Sequence, residues 1–407
     1  SLLIGELKDN RSVCQNLFCL GRAYNALGQS RKVIEYCEQS LQISRNKNVP
    51  RFYESNNLNT LAIAWRRVGQ ISKSIEMYEE SIKIHREIYG MTNPAVLANL
   101  GVAYRYLGLL SKSIEYHDQA LSVIHQNIRD SRTEGITLGT QAVNYRYLGQ
   151  QQKAVEYGHR ALEFARNVND RYWEAYHCAE LGASYFDLGD ISRGFDFINK
   201  ATDIAHETAD SQYGGVWTVR TAVMELLSKD CSVAFAKLKY AAELTRGIDN
   251  SQYNVEYGLA RAMIELRDNQ LEEAQEALSS ILQTEYRIFL PDILATNGII
   301  LLRQKKYKEA VEQFSATIAL ADTLLKQTNQ FYSALEVKGV AICGLALCKK
   351  TEESPNLSLA IECYRTARNI ISAPGAINRA LFFFEECAKS DEKSIILGVR
   401  NAVEGKE

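Results

Sequence analysis

The sequence predicts an all-α chain built as a stack of helix pairs. Three observations predict it. A phrase of letters returns about every 40 residues along the first half. Within each phrase a small residue and an aromatic lie three apart, on one face of a helix. The chain has only five prolines in 407 residues, and proline breaks helix interiors.

The phrase is clearest as YRYLG, at Tyr104–Gly108 and again at Tyr145–Gly149. Turn glycines fall at Gly28, Gly69, Gly108, Gly149 and Gly189, spaced 41, 39, 41 and 40. A fixed period in this range marks a stacked repeat array. In each unit the first helix carries the small–aromatic pair: Gly21/Tyr24, Ala62/Trp65, Gly101/Tyr104, Ala142/Tyr145 and Gly182/Tyr185. The small residue lets the partner helix approach, and the aromatic fills the space beside it. Glycine then closes the turn in a left-handed conformation. The second helix presents Val33, Ser74, Ser113, Ala154 and Gly194, and seven further on Ser40, Ser81, Ala120, Ala161 and Ala201. Counting on from Gly182, the small position recurs at Ala222, Ala262, Gly298 and Gly344. That makes nine units, with an insertion near Glu352–Asn356. At Glu225 and Glu265 the aromatic position becomes acidic. A one-residue slip of register is the favoured account, and a polar site made by the two acids is the other.

This spacing resembles the tetratricopeptide repeat (TPR), in the long form seen in kinesin light chains and bacterial sensor arrays. The resemblance implies a right-handed α-solenoid over residues 1–372. Residues 373–407 follow as C-terminal capping helices, an apolar one at Ile377–Ala388 and a mixed one at Glu392–Val403, because open solenoids need caps.

Composition narrows the function. Lys plus Arg is 47 against 49 Asp plus Glu, which argues against a phosphate-matching nucleic-acid surface. No apolar run approaches a membrane span. The nine cysteines form no CxxC pair and read as buried thiols of a reducing cytoplasm. The start, SLLIGELKDN, lacks an initiator Met and a leader pattern, and reads as the edge of a fragment. The chain has no phosphate loop and no GxSxG. His206–Asp210 reads HETAD and lacks the second histidine of a zinc motif. The expectation is a binding protein rather than an enzyme, with no metal and no cofactor.

In a solenoid of this kind the first helices line the concave face. The position after each aromatic gives Asn25, Arg66, Arg105, Arg146 and Phe186, then Leu226, Leu266, Leu302 and Cys348. Arg66, Arg105 and Arg146 form a ladder, with Arg22 one turn earlier in the first repeat. Guanidinium forks in a row suit a carboxylate or phosphate; equally, they can pair with acids on neighbouring helices. Asn99 resembles the asparagine with which such arrays grip a peptide backbone. Tyr172, Trp173 and Tyr176, with Tyr213 and Trp217 one repeat on, could stack on a ligand or pack repeats together. Val219, Val223, Leu259 and Met263 make the later inner face apolar, as packed core or as a site. The candidate ligand residues are therefore Arg22, Asn25, Arg66, Asn99, Arg105, Arg146, Tyr176 and Phe186.

The tail FFFEECAKSDEKSIILGVRNAVEG resembles the ends of bacterial STAND signal-transduction ATPases that carry TPR sensors. That resemblance implies a cytoplasmic sensor. A small-molecule or peptide inducer would bind its concave face, and it would contact an N-terminal ATPase module. A constitutive scaffold for a peptide or protein, and a peptide-pheromone receptor, are the alternatives.

Overall fold

A computed structural model describes residues 10–45, 49–128, 130–248, 250–348 and 357–406, and every regular element among them is helical. The expected insertion at Glu352–Asn356 and the segment SLLIGELKD lie outside the described residues.

Nine helix pairs run in chain order. They are α1 (Asn10–Ala26) and α2 (Ser30–Ser44), α3 (Phe52–Arg67) and α4 (Ile71–Tyr89), and α5 (Pro94–Tyr106) and α6 (Leu110–Val123). Next come α7 (Ser131–Tyr147) and α8 (Gln151–Asn167), α9 (Arg171–Leu188) and α10 (Ile191–Glu207), and α11 (Ser211–Leu227) and α12 (Cys231–Leu244). The last three are α13 (Ser251–Arg267) and α14 (Leu271–Ser279), α15 (Leu290–Arg303) and α16 (Tyr307–Leu325), and α17 (Tyr332–Cys348) and α18 (Leu357–Ile370). Two further helices close the chain, α19 (Pro374–Ala388) and α20 (Arg400–Glu404). The chain divides into two compact units. One is Ser1–Thr137 with Arg246–Gln252, the other Leu138–Thr245 with Tyr253–Glu407.

Among the described residues, the same turn joins the two helices of the first eight pairs. After the aromatic residue the chain closes with a hydrogen bond from an N–H to the carbonyl five residues back. Examples are Gln29 to Tyr24 at 3.0 Å, Leu109 to Tyr104 at 3.0 Å and Asp190 to Tyr185 at 3.0 Å. The same bond runs from Asp230 to Glu225 at 2.9 Å and from Gln270 to Glu265 at 2.8 Å. The register therefore does not slip where the aromatics give way to acids, contrary to the favoured expectation. Lys229, Asn269 and Lys305 take the left-handed turn position that glycine holds earlier, at φ 73°, 65° and 62°.

The aromatic position explains itself in space. Tyr24 stacks on Tyr36 and Tyr104 on Tyr116, each at 5.3 Å between ring centres, and Tyr185 stacks on Phe197 at 5.5 Å. A cation covers each first-helix ring: Lys32 over Tyr24 at 4.8 Å, Lys112 over Tyr104 at 5.2 Å and Arg193 over Tyr185 at 4.3 Å. Cations over aromatic faces are favourable electrostatically. In the sixth repeat the pair becomes Glu225 with Lys237, a charge attraction in place of a stack. In the seventh, Glu265 binds Arg261 one turn earlier on its own helix, at 2.7 Å. Glu265 is thus paired locally.

The small positions let backbones touch. A methyl group on Gly182 of α9 would lie 2.9 Å from the Gly194 carbonyl oxygen of α10. The aromatics at the starts of α9 and α11 also pack repeats together, with Tyr172 edge-on to Tyr213 at 5.1 Å.

The tail departs most from expectation. In place of a closing helix over Glu392–Val403 there is a turn capped by Asp391, which accepts the N–H groups of Ile395 and Ile396 at 2.8 Å each. A 3-10 turn at Leu397–Val399 and the short α20 follow. The 3-10 turn and α20 pack on α18, as a cap would. The preceding helix α19 lies against α9, α11, α15 and α17, the first helices of four repeats. Phe382, Phe383 and Phe384 are all buried. Three consecutive helical residues sweep some 200° of the helix surface, so α19 is enclosed on most of its circumference.

Its entry into that groove is tight. A methyl group on Gly375 would lie 2.0 Å from the Phe186 carbonyl oxygen and 2.7 Å from the Asp187 Cα. Both are backbone atoms of α9 and cannot swing aside. Gly375→Ala is therefore expected to cost about 3 kcal/mol, the upper end for overpacking. A shift of the urea midpoint reads this. An unchanged midpoint would show that α19 seats without that close approach.

Candidate ligand-binding site

Within the second unit the first helices of repeats four to nine and α19 line most of a half-open chamber of about 200 Å³. Its apolar wall includes Phe186 of α9, Val219 and Val223 of α11, Leu259 and Met263 of α13, and Phe383 of α19. The helices are in register, so residues one repeat apart face the same space.

The lining also carries charged side chains, and these are paired. Arg146 of α7 donates to Asp187 of α9 at 3.2 Å and lies 3.8 Å from Glu180. Arg220 of α11 bridges two neighbours. It donates to Glu180 at 2.6 Å and makes a two-pronged contact with Glu256 of α13, at 2.8 and 3.2 Å. Arg379 of α19 donates to Asp292 of α15 at 2.6 Å and more distantly to Glu336 of α17 at 3.4 Å. Arg368 of α18 also binds Glu336. Arg146, Arg220 and Arg379 thus tie helices of different repeats together, while Arg368 links the two helices of the ninth.

Burial pushes the carboxyls of Asp187 and Asp292 up, while Arg146 and Arg379 respectively pull them down. Tyr332 of α17 also lines the chamber, and burial raises its phenol. Its charge interactions reach Asp187, Arg379 and Arg146, which places these four groups at one end of the chamber. The Nε of Arg146 is buried and has no hydrogen-bond partner. The chamber therefore offers an apolar wall and a polar end, the combination that fixes the orientation of a small ligand.

Of the residues singled out in the sequence, Arg146 and Phe186 line this chamber together. Tyr176 packs instead against Trp173 at 5.2 Å and His177 at 5.6 Å. The other five belong to the first unit. Arg22 is exposed, with its guanidinium 5.9 Å from the Phe18 ring. Asn25 accepts a hydrogen bond from Arg67 at 2.8 Å, and Asn99 donates to Asn59 at 3.4 Å. Arg66 and Arg105 lie 5.7 and 5.4 Å from the centre of the same Tyr106 ring, and Arg105 is buried. Of the two readings open for the ladder, pairing with acids on neighbouring helices is what Arg146 does.

Arg220, Asp187, Asp292, Tyr332 and Arg379 were not singled out. One signal was present. Glu180 and Arg220 occupy the same position in consecutive repeats, 40 residues apart with opposite charge. Adjacent repeats bring such positions side by side, so a sign change there marks an inter-repeat ion pair.

Tetratricopeptide-repeat family models match residues 58–94 and 93–167. These segments are tetratricopeptide repeats. Solved TPR-type structures share the fold. A Rap protein complexed with Competence and Sporulation Factor aligns with a TM-score of 0.60 at 14% identity, over 78% of this chain and 98% of that one. The Rap conjugation gene regulator of the plasmid pLS20, in complex with the Phr* peptide, gives 0.58 at 13% identity, over 78% and 97%. The apo quorum sensor NprR from B. thuringiensis gives 0.52 at 11% identity, over 78% and 90%. No curated protein matches the sequence. Among the described residues of the TPR array, no helix is long and apolar enough to cross a membrane.

Proposed function

We propose that this TPR array is the sensing part of a regulator and that the chamber of its second unit receives a short peptide. The observation that carries the reading is the chamber itself, with an apolar wall and a polar end of inter-repeat ion pairs. A group that binds there touches several repeats at once. A ligand with different affinity for two arrangements of the repeats shifts the balance between them. The likeness in fold to Rap proteins complexed with Competence and Sporulation Factor and with the Phr* peptide supports a peptide as the occupant. Control of an N-terminal ATPase, as in STAND regulators, rests on the resemblance of the tail alone, so the peptide-receptor reading is preferred.

The test is a pool of pentapeptides screened by thermal shift, with hits titrated by calorimetry. A peptide that binds only the folded chain raises the melting temperature by mass action. Val223→Trp fills the chamber without touching an ion pair. It should weaken binding at least 10-fold while leaving the unliganded melting temperature within a few degrees. Wild-type affinity in that variant would remove the chamber as the site.

A further inference from the structure

The helix that walls the chamber also fills the groove around it. Its Arg379 and Phe383 line the chamber. Near its other end Glu386 is fully buried, with Arg267 at 2.7 Å and Arg303 also paired to it. The seat of α19 is therefore held by ion pairs on either side of three buried phenylalanines. Buried ion pairs specify geometry more than they add stability, because desolvation offsets much of their attraction. A helix seated this way has a definite docked position. Short segments without helix flank it, at Ile371–Ala373 and between Ser390 and Ile396. These can absorb its movement without unwinding α18.

We propose that α19 is a latch, seated in the groove by these ion pairs, and that a ligand in the chamber holds it shut. This rests on the receptor reading and names how the site is regulated. A ligand in contact with Arg379 and Phe383 on one side and with Phe186 and Val223 on the other binds only when α19 is seated. Its binding and the seating of α19 are thermodynamically linked. Loss of the ligand frees the helix and exposes the first helices of repeats five, six, eight and nine.

Native-state hydrogen exchange on the full chain, with and without a pentapeptide that raises its melting temperature, tests the latch. Without peptide, α19 amides should exchange at least 10-fold faster than those of α15 and α17. Glu386→Gln should widen that gap about 10-fold. With peptide, exchange in α19 should slow at least 10-fold, more than in α2 to α4. Exchange of α19 in step with α15 and α17 at every denaturant concentration, in both proteins, would overturn the latch. A peptide that binds but leaves α19 exchange unchanged would overturn the coupling and leave the receptor standing. Failure of the whole pool to bind would remove the receptor and the coupling together.

Discussion

Glu386→Ala is expected to lower the stability of the second unit by about 3–5 kcal/mol, the range for breaking a buried ion pair from one side. The carboxylate is fully buried and compensates Arg303, which is itself 8% exposed, together with Arg267. Burial and the charge of Arg267 already pull the Arg303 guanidinium below its usual range. Without Glu386 the Arg303 charge loses its carboxylate and keeps only hydrogen bonds to the Leu266 carbonyl and Asn269 in a poorly solvated site. Urea denaturation followed by circular dichroism measures the loss. Replacing both partners, as in Arg303→Met with Glu386→Leu, should recover at least half of it, since a buried apolar pair carries no desolvation penalty. A single substitution that costs less than 1 kcal/mol would show that water reaches this end of α19.

Acid should destabilise both units through two histidines. His117 of α6 and His177 of α9 are both buried, and burial pushes each imidazole down to about 3. His117 also feels the positive charge of Arg105. The two occupy similar niches, each against a glycine. A methyl on Gly101 would meet the His117 ring at 2.8 Å, and one on Gly139 would meet the His177 ring at 2.1 Å. The unfolded chain takes up a proton on each histidine near pH 6.5, and the folded chain does so only near pH 3. The unfolded state therefore binds more protons throughout that window, and stability falls as pH falls. The slope is about 1.4 kcal/mol per pH unit for each histidine, or about 2 kcal/mol each by pH 5. Above pH 6.5 neither contributes a slope. Urea midpoints from pH 7.5 to 4.5 read the effect, and His117→Gln with His177→Gln should flatten the profile. An unchanged slope in that double variant would assign the acid response to other groups.

The repeat was legible in the sequence because each of its rules is local. A small residue and an aromatic three apart lie on one helix face whatever surrounds them. A left-handed turn after the aromatic needs only the residues that form it. Gly28 through Gly189 could therefore be read off directly. The same rule was misjudged at Glu225 and Glu265, where letters changed but geometry did not. The 40-residue spacing from Gly189 to Lys229 to Asn269 carried the register, and the missing glycine disguised it.

The candidate site was legible only where a helix position repeats. Arg146 and Phe186 follow the aromatic of their own repeats and could be placed on the inner face by counting. Asp292, Tyr332 and Arg379 could not, because they come together across 40 residues of chain or more and belong to no common phrase. The sequence by itself determined the helix pairs, their period and the side each presents, since hydrogen bonding and side-chain periodicity act within one or two turns. Only the tertiary structure decided that α19 lies along the first helices of four repeats. That outcome depends on Gly375 passing the α9 backbone, on three phenylalanines finding cover on different sides, and on Arg379 and Glu386 meeting partners that lie 87 and 83 residues away. Burial of a charge is favourable only when its partner is already in place, and no local pattern records where that partner is.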